Sequence, residues 1–213
     1  STRYRSSAAS DVYKRQGGST RDNTKKVVLD TLAAGFDTAP HLSFGSDEEH
    51  DIKQMISEYL AAGVKRIVAL RGDLPSGFGD GSRMAHANEL VSFIRREFGE
   101  QIQLEVAAYP EIHPESKSYS SDIYYLKQKF DAGANSAITQ YFYNVDAYQY
   151  FLEHCHLQGI DGPIYPGIMP IINFQNLQRF SASCGAEIPR WLVRKIESSD
   201  NAEDASKFAA DFV

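Results

Sequence analysis

Arg71, Gly72 and Asp73 set two opposite charges around one glycine, directly after the apolar run Ile67-Val68-Ala69-Leu70. The run reads as a strand buried on both faces. Charges at its end cannot belong to a core, because an unpaired buried ion costs several kcal/mol. They must face solvent or a ligand. Other apolar runs end in the same way, at His41, Tyr109 and Gln140. In a parallel α/β protein that position, outside the carboxyl ends of the strands, is where ligands bind. His154-Cys155-His156 has metal-ligating residue types, but adjacent helical residues point in different directions and cannot converge on one ion. That tripeptide reads as a helix surface, and no metal site is expected.

The elements that must position these residues recur along the chain. A helix ends in a small or polar residue plus glycine, a short strand follows, and a polar loop leads to the next helix. The helix ends are Ala34-Gly35, Ala62-Gly63, Ala132-Gly133 and Gln158-Gly159, with glycine as a left-handed cap. Strands are expected over Ala39–Phe44, Val64–Leu70, Ile102–Tyr109, Ser136–Tyr141 and Ile164–Ile168. Ser46 with Glu49 forms a capping box. The spacing of Leu90, Phe93, Ile94 and Phe98 predicts an amphipathic helix over Met84–Phe98. Gly17-Gly18-Ser19-Thr20-Arg21-Asp22 reads as a phosphate- or cofactor-facing loop running into a helix N-terminus.

Strands alternating with helices imply a parallel β/α layer fold. It closes either as an open doubly wound sheet or as a (β/α)8 barrel. No Gly-x-Gly-x-x-Gly fingerprint follows a strand, which disfavours the dinucleotide-binding open sheet. Polar residues at many strand ends favour the barrel. Only five good strands are legible where a barrel needs eight, so either the sheet is open or the chain is incomplete. Residues 1–16, rich in Ser, Arg and Tyr, read as a leader foreign to the rest.

With 213 residues and 42% hydrophobic content, the chain has the composition of a soluble globular protein. Its net charge of −6 argues against a nucleic-acid partner. No run approaches a membrane span, and no signal peptide is evident. Cys155 and Cys184 form neither a metal-ligand spacing nor a disulfide framework, so free thiols in a reducing cytoplasm are expected.

Three segments carry a resemblance: Val68-Ala69-Leu70-Arg71-Gly72-Asp73-Leu74-Pro75, Ala107-Ala108-Tyr109-Pro110-Glu111-Ile112-His113-Pro114-Glu115 and Ala137-Ile138-Thr139-Gln140-Tyr141-Phe142-Tyr143-Asn144. They closely resemble the methylenetetrahydrofolate reductases, flavin enzymes built on a (β/α)8 TIM barrel. Gly17–Asp22, Ala39-Pro40-His41-Leu42 and Tyr165-Pro166-Gly167-Ile168-Met169-Pro170 fit the same family in the same order. The resemblance covers residues 17–213 as a partial barrel domain holding about strands three to seven of eight. It implies that the family's first strand, most of its second and its last lie outside this chain.

The resemblance implies an activity and a set of roles. The reaction is reduction of 5,10-methylenetetrahydrofolate to 5-methyltetrahydrofolate in one-carbon metabolism. FAD is the cofactor and NADH or NADPH the hydride donor. The intact enzyme would be a cytoplasmic homo-oligomer. His41, Arg71, Gly72, Tyr109 and His113 match positions that contact the flavin, ribityl or phosphate parts of FAD, and His86 with Ala87 lies near the flavin. Arg71 suits a pyrophosphate through its permanent charge and forked donors. Asp122 and Lys129 match contacts to the adenosine end and its phosphates. Asp73 matches the catalytic aspartate beside flavin and pterin, Gln140 a glutamine that bonds the pterin, and Phe180 an aromatic residue packing on substrate or nicotinamide.

Four positions depart from the family pattern. His86 replaces a tyrosine, Tyr125 and Gln128 replace polar and basic residues near the phosphates, and Asn176 replaces a second folate-binding glutamine. The family's general-acid glutamate belongs to the first strand, and no residue here takes that role. A rival reading is an inactive fragment that binds flavin weakly or not at all. A third, another FAD-binding barrel oxidoreductase resembling proline dehydrogenase, lacks matching motifs.

Overall fold

Gly35, Gly63, Gly133 and Gly159 all adopt positive φ, at 82°, 94°, 112° and 72°. Each one ends a helix where the sequence places a cap. The computed structural model describes residues 19–43, 49–70, 86–198 and 207–208. In chain order these form α1 (Ser19–Ala33), β1 (His41–Ser43), α2 (Glu49–Ala61), β2 (Arg66–Leu70), α3 (Ala87–Phe98) and β3 (Gln103–Ala108). There follow α4 (Tyr119–Asp131), β4 (Ser136–Tyr141), α5 (Val145–Leu157), β5 (Ile164–Gly167), α6 (Phe174–Cys184) and α7 (Arg190–Glu197).

The strands form one parallel sheet in the order β1-β2-β3-β4-β5. A doubly wound sheet reverses its order at a switch point, and no reversal occurs here. The order is the singly wound one of a (β/α) barrel. All five strands anticipated from the sequence are present, Ser136–Tyr141 with the expected bounds and the others with ends shifted by at most two residues. Ser46 of the expected capping box lies outside the described residues. The segment expected to run from a loop into a helix N-terminus enters α1 at Ser19, and Gly17 and Gly18 lie outside the described residues. No helix among the described residues is long and apolar enough to cross a membrane.

The chain divides into two compact units. The first holds the residues up to Val106 together with Lys129–Asn135. Here Ile67, Val68 and Ala69 are buried in succession, so β2 is covered on both faces as its unbroken apolar run requires. Leu90, Phe93, Ile94 and Phe98 are buried together with Ala87 and Val91, which puts the expected apolar stripe of α3 in the core. Glu105 on β3 is a buried carboxylate, and it is ion-paired to Arg66 on β2.

The second unit holds Ala107–Gln128 and the chain from Ser136 onward. Its core gathers Tyr141, Ile171, Leu177, Ala186 and Leu192, with Phe180 and Cys184 packed against them. On α5, Cys155 is 1% exposed, whereas His156 is exposed and pairs with Asp161 at 3.2 Å. The tripeptide is therefore not simply helix surface. Its middle residue packs inward while its neighbours diverge, as a turn of 100° per residue dictates.

Candidate functional site

Tyr109 follows β3 directly, and the loop it opens carries most of the recognisable chemistry of the second unit. Its ring meets that of His113 edge-on, with centroids 4.5 Å apart. His113 Nδ1 accepts a hydrogen bond from the Glu115 N–H at 3.0 Å. In the neutral ring the proton therefore lies on Nε2, which is a donor. The Asp122 carboxylate, in the first turn of α4, accepts the His113 backbone N–H at 2.8 Å. Asp122 thus fixes the loop that holds His113. Lys129 follows Asp122 by seven residues in α4, so both lie on one face of the helix, about 10 Å apart along its axis.

Gln140, next to last in β4, joins Tyr109 at a common cavity also lined by Glu111, Tyr141 and Cys184. Its Oε1 accepts the Tyr141 N–H at 3.1 Å, leaving its amide nitrogen to face elsewhere. Two of the expected ligand-facing residues therefore meet. Phe180 joins them through Tyr141, whose ring it stacks on at 5.7 Å and 20°.

Tyr141 itself is buried, and its hydroxyl shares a 2.7 Å hydrogen bond with Ser181 Oγ. Burial pushes this phenol well above its ordinary range, so it stays neutral as a hydrogen-bonding group. Tyr141→Phe is expected to lower stability by about 1 kcal/mol, because the buried Ser181 hydroxyl loses a partner. The shift in urea midpoint measures this, and the Phe180 stack should survive.

In the first unit His41 opens β1 and pairs in register with Val68. It was expected to end the strand. Since Ser43 is level with Leu70 at the end of β2, His41 sits two residues short of the strand end. Ala87, the first residue of α3, is 7% exposed and its methyl group belongs to the core. His86, just before it, is exposed, and its N–H is accepted by the Glu89 carboxylate at 3.0 Å. Arg71, Gly72 and Asp73 lie outside the described residues.

A flavin dinucleotide needs a flat apolar or aromatic wall, hydrogen-bond partners for a heteroaromatic ring and positive charge for its phosphates. Tyr109 and the Nε2–H of His113 meet the first two needs within one loop. The residues of that loop fit the flavin part of such a group.

The model of the methylenetetrahydrofolate reductase family matches residues 2–212. The chain belongs to the methylenetetrahydrofolate reductase family. It is 39% identical over 188 residues to the 5,10-methylenetetrahydrofolate reductase of Pectobacterium carotovorum, covering 88% of this chain and 62% of that protein. The Escherichia coli 5,10-methylenetetrahydrofolate reductase is 37% identical over the same shares of each chain. A probable NADPH-dependent methylenetetrahydrofolate reductase of Caenorhabditis elegans is 34% identical over 88% of this chain and 30% of its own length. The chain thus spans about 60% of the bacterial methylenetetrahydrofolate reductases that it matches.

Reading the sequence for a reductase of this family misses Glu111 and Ser181. Glu111 sits inside a recognised motif, yet only its sealed, unpartnered Oε1 singles it out. Ser181 has no sequence signal, since its role rests on a tyrosine forty residues earlier in the chain.

Proposed function

We propose that the protein reduces 5,10-methylenetetrahydrofolate to 5-methyltetrahydrofolate, with FAD as cofactor and NADH or NADPH as reductant. Overall, one hydride reaches the methylene carbon, its bond to the second of the two nitrogens it bridges breaks, and that nitrogen takes one proton. The observation that carries this reading is the meeting of Tyr109 and Gln140 at one cavity, in a chain matched by the family along nearly its whole length. When bound, FAD supplies the two-electron hydride chemistry, while the protein supplies orientation and electrostatics.

The chain's own residues then divide the work. The Tyr109–His113 pair would wall the cofactor, with the His113 Nε2–H as donor. Asp122 holds that loop in place, and Asp122 and Lys129 on one face of α4 suit the adenosine end and its phosphates. Arg71 and Gly72 would serve the phosphates or the flavin. Gln140 presents a carboxamide that reads a pterin edge through paired donor and acceptor, and Phe180 backs the substrate. Asp73 would supply the carboxylate that binds and activates the folate.

Asp73→Asn tests the assignment. In the flavin-loaded protein, rapid mixing with methylenetetrahydrofolate should show the folate half-reaction slowed by about 10²-fold. Flavin affinity, read from fluorescence quenching, should change little. Wild-type rates in that half-reaction would overturn the role of Asp73, and a purified protein that takes up no flavin would overturn the reading itself.

A further inference from the structure

Three features of the loop after β3 have no part in the reaction as described, and they converge on Glu111. Its Oε2 accepts the Glu187 N–H at 2.8 Å, tying the loop to the chain just beyond α6. Its Oε1 is sealed from solvent and has no hydrogen-bond partner among the described residues. The next residue, Ile112, has φ of 73°, a left-handed conformation that strains a β-branched side chain. A native fold tolerates an orphaned oxygen and a strained neighbour together only where the surrounding structure, or a function, demands that geometry.

The surroundings show what is being held. Gly185 caps α6 at φ of 76°, and a Cβ there would lie 2.9 Å from Pro114 Cγ. The Pro114 ring of the loop therefore packs directly on the backbone at the end of α6. Tyr109 and His113 flank Glu111 on one side of this contact, and Phe180 and Cys184 lie on α6 on the other. Between them Tyr109, Glu111, Gln140, Tyr141 and Cys184 line a cavity of about 10 Å³, room for about one water molecule. A shift of either wall by an ångström or two would open or erase it.

We propose that Glu111 is a positioning residue, whose side chain fixes the spacing between the Tyr109–His113 loop and α6 and so sets Tyr109 and Gln140 against Phe180. This rests on the reading of those three residues as ligand-facing. Burial raises the Glu111 carboxyl above its ordinary range, the Glu187 N–H pulls it back, and the Glu187 carboxylate raises it again. Tyr109, Tyr141 and Cys184 are the other titratable groups on the same cavity. A neutral acid with its proton on Oε1 avoids sealing an unpartnered anionic oxygen. For a raised carboxyl the stabilising effect is complete below the unfolded value, near 4.5, and is lost as the pH rises through the folded one.

The test compares wild type, Glu111→Gln and Glu111→Ala. Its readouts are amide hydrogen exchange, urea unfolding across pH, and calorimetric titration with 5-methyltetrahydrofolate. Glu111→Ala should raise exchange in residues 109–116 and 181–189 together and weaken folate binding by about tenfold. Glu111→Gln keeps an acceptor for the Glu187 N–H. It should stay within about threefold of wild type in folate affinity and lose the fall in stability above the ordinary carboxylate range. Unchanged exchange or unchanged folate affinity in Glu111→Ala overturns the positioning role, as does Glu111→Gln behaving like Glu111→Ala. Absence of folate binding by wild type overturns the proposed function and the positioning role with it. Wild-type binding with unaltered Glu111→Ala affinity overturns the positioning role alone.

Discussion

Arg95→Ala is expected to lower the unfolding free energy by about 4 kcal/mol, and the thermal midpoint by about 10 °C. Arg95 lies in the last turn of α3, with its side chain 12% exposed. Its Nε–H donates to the Gly133 carbonyl at 2.9 Å, and its Nη1 to the carbonyls of Gly99 at 2.7 Å and Ile102 at 2.8 Å. Its Nη2 donates to Asn135 Oδ1, which also accepts the Leu104 N–H at 2.7 Å. One guanidinium thus joins the ends of α3 and α4 to the starts of β3 and β4. Truncation leaves three carbonyls without this donor in a half-buried place. Arg95→Lys should recover less than half of the loss, because an ammonium cannot fork toward four acceptors at once. Unfolding in urea with an unchanged slope measures both; a loss below about 1 kcal/mol in Arg95→Ala would refute the account.

Gly167→Ala is expected to be damaging for a different reason, by about 3 kcal/mol. A Cβ on Gly167 would lie 2.1 Å from the Thr139 carbonyl oxygen. That oxygen belongs to the backbone of β4, so relief requires the strands to part. The pairing of β4 with β5 is already irregular between Ile138 and Tyr141, and the Gly167 N–H donates to Thr139 Oγ1 at 2.9 Å. Gln140 sits inside this irregular stretch. The substitution should therefore weaken folate binding as well as folding, whereas Arg95→Ala should leave the affinity of the folded fraction near wild type. Folate titration of the two variants at a temperature where both stay folded separates the effects. Equal affinities would show that the β4–β5 irregularity does not shape the site.

The contrast follows strand polarity. Arg95 acts where strands begin, and Tyr109 and Gln140 lie where they end. In folds of this order, residues at strand starts hold the structure and residues at strand ends meet ligands. The polarity was legible in the sequence, since polar residues close the apolar runs at Tyr109 and Gln140. His41 misled, because Ser43 and not His41 is level with the end of β2. A run of three residues carries too little pattern to fix its own register. Arg95 was equally hidden, reading as one charge among several on the outer face of an amphipathic helix. Gly133, whose missing Cβ makes room for it, read only as a helix cap; a Cβ there would lie 2.9 Å from Arg95 Cγ.

By itself the sequence determined the alternation of helix and strand, the glycine caps, the double-sided burial of β2 and the family. These depend on local periodicity, backbone sterics and ordered motifs, all of which are written in neighbouring residues. Only the tertiary structure decided that Glu111 would accept the Glu187 N–H, that Tyr141 would bond Ser181, and that Gly167 would press on a carbonyl of β4. Each of these joins residues 28 to 76 positions apart. Burial and hydrogen-bond satisfaction are properties of the packed chain, so no local pattern announces them.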